Sequence, residues 1–286
     1  MPFYIFAWIA SLAYGIEAVI GKVTSKHSIR NPWLFNFLWN FFILLLIAPL
    51  ALYYGAGLPA HWGNILLGVV FYLAAGVCFT LALFRLDVSV LTPFFSVRTA
   101  FAVLLGVGVL HEVLHGYQYA LIAVILVCGV VVSLDERLSI KSFFSKGVLF
   151  AFLLMLSLPL EGLFIKRAIA ETGYWETALW MSVVGQSALL LTAPLFAKEL
   201  PRVRPKQYGA ALLISAAGVV GTLGANKAYA ENVGITSAIL SLPLSLIFVI
   251  IFSIFKSDLL EKHNRKVYAI RFAAAAVMIL AALKLG

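Results

Sequence analysis

Charged residues are scarce in this sequence. They make up 12% of the 286 residues, whereas a soluble globular domain carries about 25%. The mean hydropathy is correspondingly high, at +1.03. This composition excludes a water-soluble enzyme and indicates a membrane protein. The 21 Lys and Arg outnumber the 12 Asp and Glu, but basic residues collect in the cytoplasmic loops of membrane proteins, so the excess does not indicate a nucleic-acid partner.

Cysteine and the motifs of nucleotide or metal chemistry are also scarce. Cys78 and Cys128 lie in different apolar runs, and we expect no disulfide and no metal site. The sequence has no Walker loop, dinucleotide fingerprint, nucleophile elbow or paired-histidine metal motif. His111, Glu112 and His115 lack the further ligands that a closed metal site needs, so we interpret them as a solvated turn. We therefore expect no cofactor, no enzymatic activity and no ATP-driven transport by this chain alone.

Long apolar runs fill most of the chain. A bilayer core about 30 Å thick is crossed by about 20 apolar residues in a helix. Runs of this length without period-two alternation fit helices, not the strands of a barrel. We predict an all-α membrane protein with ten transmembrane helices. The predicted spans are residues 2–22, 33–53, 63–84, 88–110, 116–134, 147–169, 174–196, 208–230, 234–255 and 267–283.

The basic residues are distributed unevenly between the two sides. Sixteen of the 21 lie in or beside the connections that follow spans one, three, five, seven and nine, four lie on the other side, and Arg98 lies inside span four. Lys and Arg are retained on the cytoplasmic side of a membrane. We therefore predict that the polar stretch 135–146 is a cytoplasmic linker and that both termini are non-cytoplasmic.

The two halves of the chain contain similar segments. The nine residues from Tyr14, Y-G-I-E-A-V-I-G-K, align with L-P-L-E-G-L-F-I-K from Leu158 at an offset of 144 residues. A second register, at an offset of 145, aligns residues 89–96 with residues 234–241. The first alignment pairs Gly15 with Pro159, Glu17 with Glu161, and Lys22 with Lys166. An odd number of spans per copy inverts the second copy, so we predict two inverted five-helix repeats, residues 1–134 and 147–286, with a substrate site between them near the midplane.

Several short motifs carry a family resemblance. They are L-A-L-F-R from Leu81, S-V-L-T-P-F-F-S-V-R from Ser89, L-H-E-V-L around Glu112, and K-A-Y-A-E-N-V-G-I-T-S-A from Lys227. With them the chain resembles the drug/metabolite transporter superfamily, and within it the ten-helix permeases with two EamA-type repeats. One departure is the sequence Lys256, Ser257, Asp258 where that family usually repeats a Gly-Glu turn. The resemblance implies a small-solute permease of the inner (plasma) membrane, often an exporter, with a central cavity, acting as a monomer or homodimer.

Three ionisable residues, Glu17, Arg98 and Glu161, lie deep inside the predicted spans, away from the span ends. An intramembrane charge is costly and commonly marks a proton or substrate pathway. Glu17 also matches the single glutamate of the small multidrug resistance proteins, which the segment A-Y-G-I-E-A-V-I-G-K resembles. We interpret Glu17 and Glu161 as candidate proton-coupling residues, with a structural ion pair as the alternative. Arg98 is expected to bind either one of these acids or an anionic group of the substrate.

The remaining candidates are polar, aromatic or helix-interrupting residues. Lys22 and Lys166 lie near span ends, and we expect their side chains to reach the interface. Interrupted helices commonly line binding cavities, and aromatic rings can stack on a substrate. The candidate helix breaks are Gly15, Pro93, Pro159 and Pro243, and the candidate substrate-binding residues, besides Arg98, are Tyr14, Ser96, Trp180, Asn226, Lys227 and Ser241.

These observations favour a secondary-active transporter. Its partners would be a small amphipathic or zwitterionic metabolite and membrane lipid, and we expect proton-coupled export with alternating access. One alternative is a flippase for a lipid or lipid-linked carrier, in which Arg98 would bind a head-group phosphate. Another is a membrane scaffold subunit with an inert, ion-paired core.

Overall fold

The computed structural model describes residues 2–86, 88–133, 146–245, 247–248 and 265–285, and the secondary structure in these ranges is helical, with no strand. Ten α-helices lie in the described ranges. They are α1 Phe3–His27, α2 Pro32–Tyr53, α3 Gly63–Arg85, α4 Val88–Val109, α5 Gly116–Ser133, α6 Lys146–Thr172, α7 Tyr174–Leu189, α8 Pro205–Tyr229, α9 Val233–Leu240 and α10 Arg265–Leu283. Two short 3-10 helices, Leu190–Leu195 and Leu200–Arg202, connect α7 to α8.

Most of these helices suit a bilayer in length and composition. Helices α1, α2, α3, α6 and α8, and α7 together with its 3-10 extension, are long and apolar enough to cross a membrane. Shorter apolar stretches lie in the other helices, at Val97–Val109, Gly116–Gly129 and Phe272–Leu283. The predicted all-helical, multi-pass architecture is therefore confirmed.

Span nine is interrupted. Helix α9 ends at Leu240 after eight residues, and Ser241, Leu242 and Pro243 are not helical. Proline has no N–H to donate to a preceding carbonyl, so a helix does not continue regularly through it. The predicted span 234–255 is thus not one continuous helix, and most of its second half lies outside the described residues.

The other three candidate breaks do not end a helix. Gly15 lies within α1, Pro93 within α4 and Pro159 within α6, and each of these helices continues past the residue. Glycine is needed at position 15 for packing and not for a break in the helix, since a Cβ atom there would lie 2.9 Å from Cε2 of Phe248. A proline within a membrane helix removes one hydrogen bond, which neighbouring groups can replace. These three expectations of helix interruption were wrong.

Helix pairing follows a regular pattern. The most extensive contacts join α1 to α8 and α3 to α6. Contacts also join α2 to α7, α4 to α9, and α5 to α10. One apolar cluster, which includes Phe35, Leu83, Leu154 and Ile214, fills the space between α2, α3, α6 and α8. This packing surrounds a cavity with side chains from both halves of the chain.

Candidate functional site

A cavity of about 130 Å³ lies among seven helices. Its lining combines aromatic rings with ionisable and amide groups. The polar and aromatic residues that line it are Tyr14 and Glu17 of α1, Trp39 and Asn40 of α2, Tyr72 and Phe79 of α3, Arg98 of α4, Glu161 of α6, and Thr222, Asn226 and Tyr229 of α8; Leu240 of α9 completes the wall. The structure thus brings the two predicted acids and the predicted arginine to one place.

Glu17 is fixed by its neighbours. It is 5% exposed, and the indole N–H of Trp39 donates a hydrogen bond of 2.9 Å to its Oε1. The hydroxyl of Ser215 donates to the backbone carbonyl of Trp39 at 2.7 Å, which ties α8 to α2 at this level. Gly218 lies so close that a Cβ atom there would overlap the carboxylate of Glu17. The site of Glu17 therefore depends on a tryptophan donor and on a glycine that leaves room.

Arg98 is buried, at 4% exposure, beside Tyr229. Its Nη2 donates to the hydroxyl of Tyr229, and its Nε has no hydrogen-bond partner among the described residues. Glu161 lines the same cavity, but within the described residues no salt bridge joins Arg98 to Glu161 or to Glu17. A buried donor without a partner is costly, so Arg98 retains capacity to bind an anionic group.

A second polar group lines the wall formed by α2 and α3. The hydroxyl of Tyr72 donates to Oδ1 of Asn40, and Nδ2 of Asn40 donates to the backbone carbonyl of Asn36 at 2.9 Å and to its Oδ1 at 3.0 Å. Asn36, Asn40 and Tyr72 are not among the candidates predicted from the sequence. A signal was present for the asparagines, because two amides one turn apart are unusual in so apolar a run. The tyrosine had no such signal.

Comparison with known proteins identifies the first half of the chain. Residues 1–134 match the model of the EamA-like transporter family. The chain carries an EamA-like domain of the drug/metabolite transporter superfamily. A solved crystal structure is similar over 96% of this chain and 98% of its own, with a TM-score of 0.68 and 16% sequence identity, which shows the fold alone. The curated proteins compared with the chain contain no match.

The EamA-like domain does not form the cavity alone. It contributes Tyr14, Glu17 and Arg98, whereas Glu161 and Asn226 come from the second half of the chain. The family match covers residues 1–134, and the long apolar helices are those of a multi-pass membrane protein.

Three candidate residues lie away from this cavity. Lys227 is exposed, and its Nζ lies 5.5 Å from the centre of the Tyr174 ring. The indole N–H of Trp180 donates to the carbonyl of Gly57 at 2.7 Å in the connection between α2 and α3. The hydroxyl of Ser241 is buried and donates to the carbonyl of Ala238 at 2.7 Å. The expectation that these three bind substrate is not supported by their position, and the side chains of Pro93 and Ser96 lie outside the described residues.

Lys22 and Lys166 were expected to extend to the membrane interface, but both bind other groups of the protein. Lys22 Nζ donates to the carbonyls of Leu83 and Leu86, at 2.9 and 2.8 Å, at the end of α3. The last carbonyls of a helix have no partner within the helix, and a lysine ammonium can supply one. Lys166 Nζ donates to Oε1 of Glu112 at 2.8 Å. The Glu112 side chain is only 4% exposed, so the expectation of a solvated turn was wrong for Glu112, whereas His111 and His115 are exposed as expected.

Proposed function

We propose that the chain is a secondary-active transporter that moves a small amphipathic or zwitterionic metabolite outward in exchange for protons. The observation that carries this proposal is the meeting of Glu17, Glu161 and Arg98 in one cavity among aromatic rings. An intramembrane acid can exchange a proton, and a guanidinium binds carboxylate or phosphate. The same cavity therefore offers a proton site and a site for an anionic group of the substrate.

We further propose that the halves 1–134 and 147–286 are inverted repeats, joined by the linker 135–146, which give the cavity alternating access from the two sides. Two contacts support this. Lys22 binds the carbonyl of Leu86 and Lys166 binds the carbonyl of Glu231, and the two lysines are 144 residues apart while the two carbonyl residues are 145 apart. Helix pairing supports the repeat too. Under the repeat α1 corresponds to α6 and α3 corresponds to α8, and the two most extensive helix contacts are α1 with α8 and α6 with α3.

The proposed roles of the charged groups differ. Glu17 carries the proton, and Glu161 forms part of the cavity wall. Arg98 binds the anionic group of the substrate through its Nε, which has no hydrogen-bond partner among the described residues. Protonation of Glu17 changes the net charge of a cavity that is largely removed from water, where charges interact strongly. One cavity opening is thereby favoured over the other.

The size of the cavity supports a cycle that includes movement. About 130 Å³ is smaller than the roughly 300–1,000 Å³ of typical small-molecule sites. A metabolite would enter after rearrangement of the surrounding helices, as hinge or rocking motions allow. We place the protein in the inner (plasma) membrane with both termini on the non-cytoplasmic side, as the distribution of basic residues predicts.

The test is flux into proteoliposomes under an imposed pH gradient. A panel of amino acids, nucleosides, sugar phosphates and cationic drugs is first screened by ligand-induced thermal stabilisation. For a solute that binds, Glu17→Gln should abolish stimulation of flux by the gradient. The matched control is Glu171→Gln, since Glu171 is exposed and binds Asn64 outside the cavity. Unaltered gradient-driven flux in Glu17→Gln would eliminate the proton-carrying role of Glu17.

A further inference from the structure

The connection between α4 and α5 turns back on the helix bundle. His111 has a positive φ of 54°, and the backbone N–H of Glu112 donates to the carbonyl of Gly106 at 2.9 Å. A Cβ atom at Gly106 would lie 2.5 Å from Oε2 of Glu112, so only glycine leaves space for this carboxylate. The turn therefore directs the Glu112 side chain into the bundle.

The carboxylate of Glu112 binds the start of α9. It accepts hydrogen bonds from the backbone N–H groups of Val233, at 2.7 Å, and Gly234, at 3.1 Å. The first N–H groups of a helix have no partner within the helix and favour a negative charge. The same carboxylate accepts the bond of 2.8 Å from Lys166 Nζ, so it holds α6 and α9 together.

Lys166 extends the contact to the end of α8. Its Nζ also donates to the carbonyl of Glu231 at 2.7 Å. The result is a single cluster, which we call the outer latch and define as Glu112, Lys166, the carbonyl of Glu231 and the N–H groups of Val233 and Gly234. It joins the connection after α4 to α6, to the end of α8 and to the start of α9.

The outer latch lies beside the cavity along the chain. Glu161, on the cavity wall, precedes Lys166 by five residues on α6. Tyr229, which accepts the hydrogen bond of Arg98, precedes Glu231 by two residues. A displacement of the latch would therefore move the segments that carry one of the cavity acids and the partner of the cavity cation.

We propose that the outer latch is the closing contact of the cavity at the end where α4, α6 and α8 terminate, and that it holds Tyr229 against Arg98. Loss of the contact would release α9 and the end of α8 from α6 and open the cavity at that end. This inference rests on the proposed transport function, because a gate has meaning only for a cavity with alternating access.

A cysteine reporter tests the gate without any substrate. Ala18 lines the cavity, and Ala18→Cys is introduced in a background with Cys78→Ala and Cys128→Ala. The protein is reconstituted in liposomes and labelled with a membrane-impermeant thiol reagent from each side in turn. Glu112→Gln should raise the labelling rate about tenfold from the latch side alone, which corresponds to a shift of ~1.4 kcal/mol in the gating equilibrium.

Two further variants keep the result interpretable. Lys166→Gln removes the ion pair but leaves Glu112 on the N-terminus of α9, and it should raise the rate in the same direction by a smaller factor. Glu231→Gln is the matched control, since Glu231 is exposed and contributes its backbone carbonyl to the latch, so its labelling rate should not change. Each variant must elute as a monodisperse protein in size-exclusion chromatography. If Glu112→Gln does not, the labelling rate of Lys166→Gln decides whether the outer latch closes the cavity.

An unchanged labelling rate in both Glu112→Gln and Lys166→Gln would overturn the proposal that the outer latch closes the cavity, whatever the flux measurements show. Faster labelling from both sides equally would also overturn it, because that result indicates general loosening of the bundle. Labelling reports access to the cavity and not turnover. If only the proposed transport function is wrong, the result will differ: Glu112→Gln will still raise the labelling rate from the latch side, but the protein will move no solute of the panel.

Discussion

Glu17 and Glu161 are a matched pair in two different surroundings. They lie 144 residues apart, each is followed five residues later by a lysine, and both line one cavity. Glu17 is buried and accepts a hydrogen bond from Trp39, whereas Glu161 is half-buried and shares the cavity wall with Arg98. Internal similarity therefore accounts for where the acids are, and the neighbouring helices account for how they differ.

The difference arises from residues that the two halves do not share. The position 144 residues after Trp39 is Val183, which has no N–H group in its side chain. No hydrogen bond to Glu161 is found within the part of the chain that the structure describes. A carboxylate held by a fixed donor is suited to one geometry, whereas a carboxylate beside a cation with spare capacity can exchange partners.

The largest effect that this comparison predicts is a separation of roles between the acids. Glu161→Gln should retain stimulation of flux by a pH gradient, which Glu17→Gln abolishes. Its dissociation constant for a zwitterionic solute should rise more than about tenfold, because a charged partner in a largely dry site is lost. Gradient-driven flux and equilibrium binding of the same solute measure the two properties separately. Retained coupling in Glu17→Gln together with lost coupling in Glu161→Gln would reverse the assignment.

A smaller effect is expected when the donor of Glu17 is removed. Trp39→Phe keeps an aromatic ring in the wall and deletes the indole N–H, so that Glu17 comes to resemble Glu161 in lacking that bond. Loss of a hydrogen bond to a buried acid should lower the free energy of unfolding by about 1–3 kcal/mol. Denaturant titration in mixed micelles measures this change.

Trp33→Phe is the matched control for that substitution. Trp33 lies on the same helix and packs against the apolar cluster around Phe35 and Leu38. The change of ring size is the same, but no contact with Glu17 is altered. Equal destabilisation by both substitutions would show that ring volume, and not the hydrogen bond to Glu17, stabilises this wall.

Much of the fold could be predicted from the sequence. Long apolar runs must form helices in a bilayer because their backbone groups have no other partners there, and α1 to α8 fall on predicted spans. The interruption after α9 could be placed at Pro243 but not its extent. The uninterrupted course of α6 through Pro159 depends on tertiary packing, which a single sequence does not reveal.

The site was predicted less completely. Glu17, Glu161 and Arg98 could be selected because charge inside a membrane is costly whatever the fold. Trp39, Tyr72 and Tyr229 could not, because the sequence contains 6 Trp, 11 Tyr and 22 Phe and most aromatic residues in such a chain pack or face lipid. The sequence also did not show that Asn226 faces the cavity and Lys227 does not. Neighbouring residues point about 100° apart around a helix, but the sequence does not reveal which direction faces the cavity.

The smallest expected effect is none, at two of the three candidates that lie outside the cavity. Asn226 lines the cavity, whereas Lys227 extends over Tyr174 and Trp180 binds the carbonyl of Gly57. Lys227→Gln and Trp180→Phe should therefore leave solute affinity and gradient-driven flux within about twofold of the parent, since changes at peripheral positions rarely exceed ~0.5 kcal/mol. Asn226→Leu, one residue from Lys227, should by contrast weaken binding, because it replaces an amide on the cavity wall with an apolar group. If Lys227→Gln lost as much affinity as Asn226→Leu, the substrate would not be confined to this cavity. The two faces of α8 would then not differ in their contribution to binding.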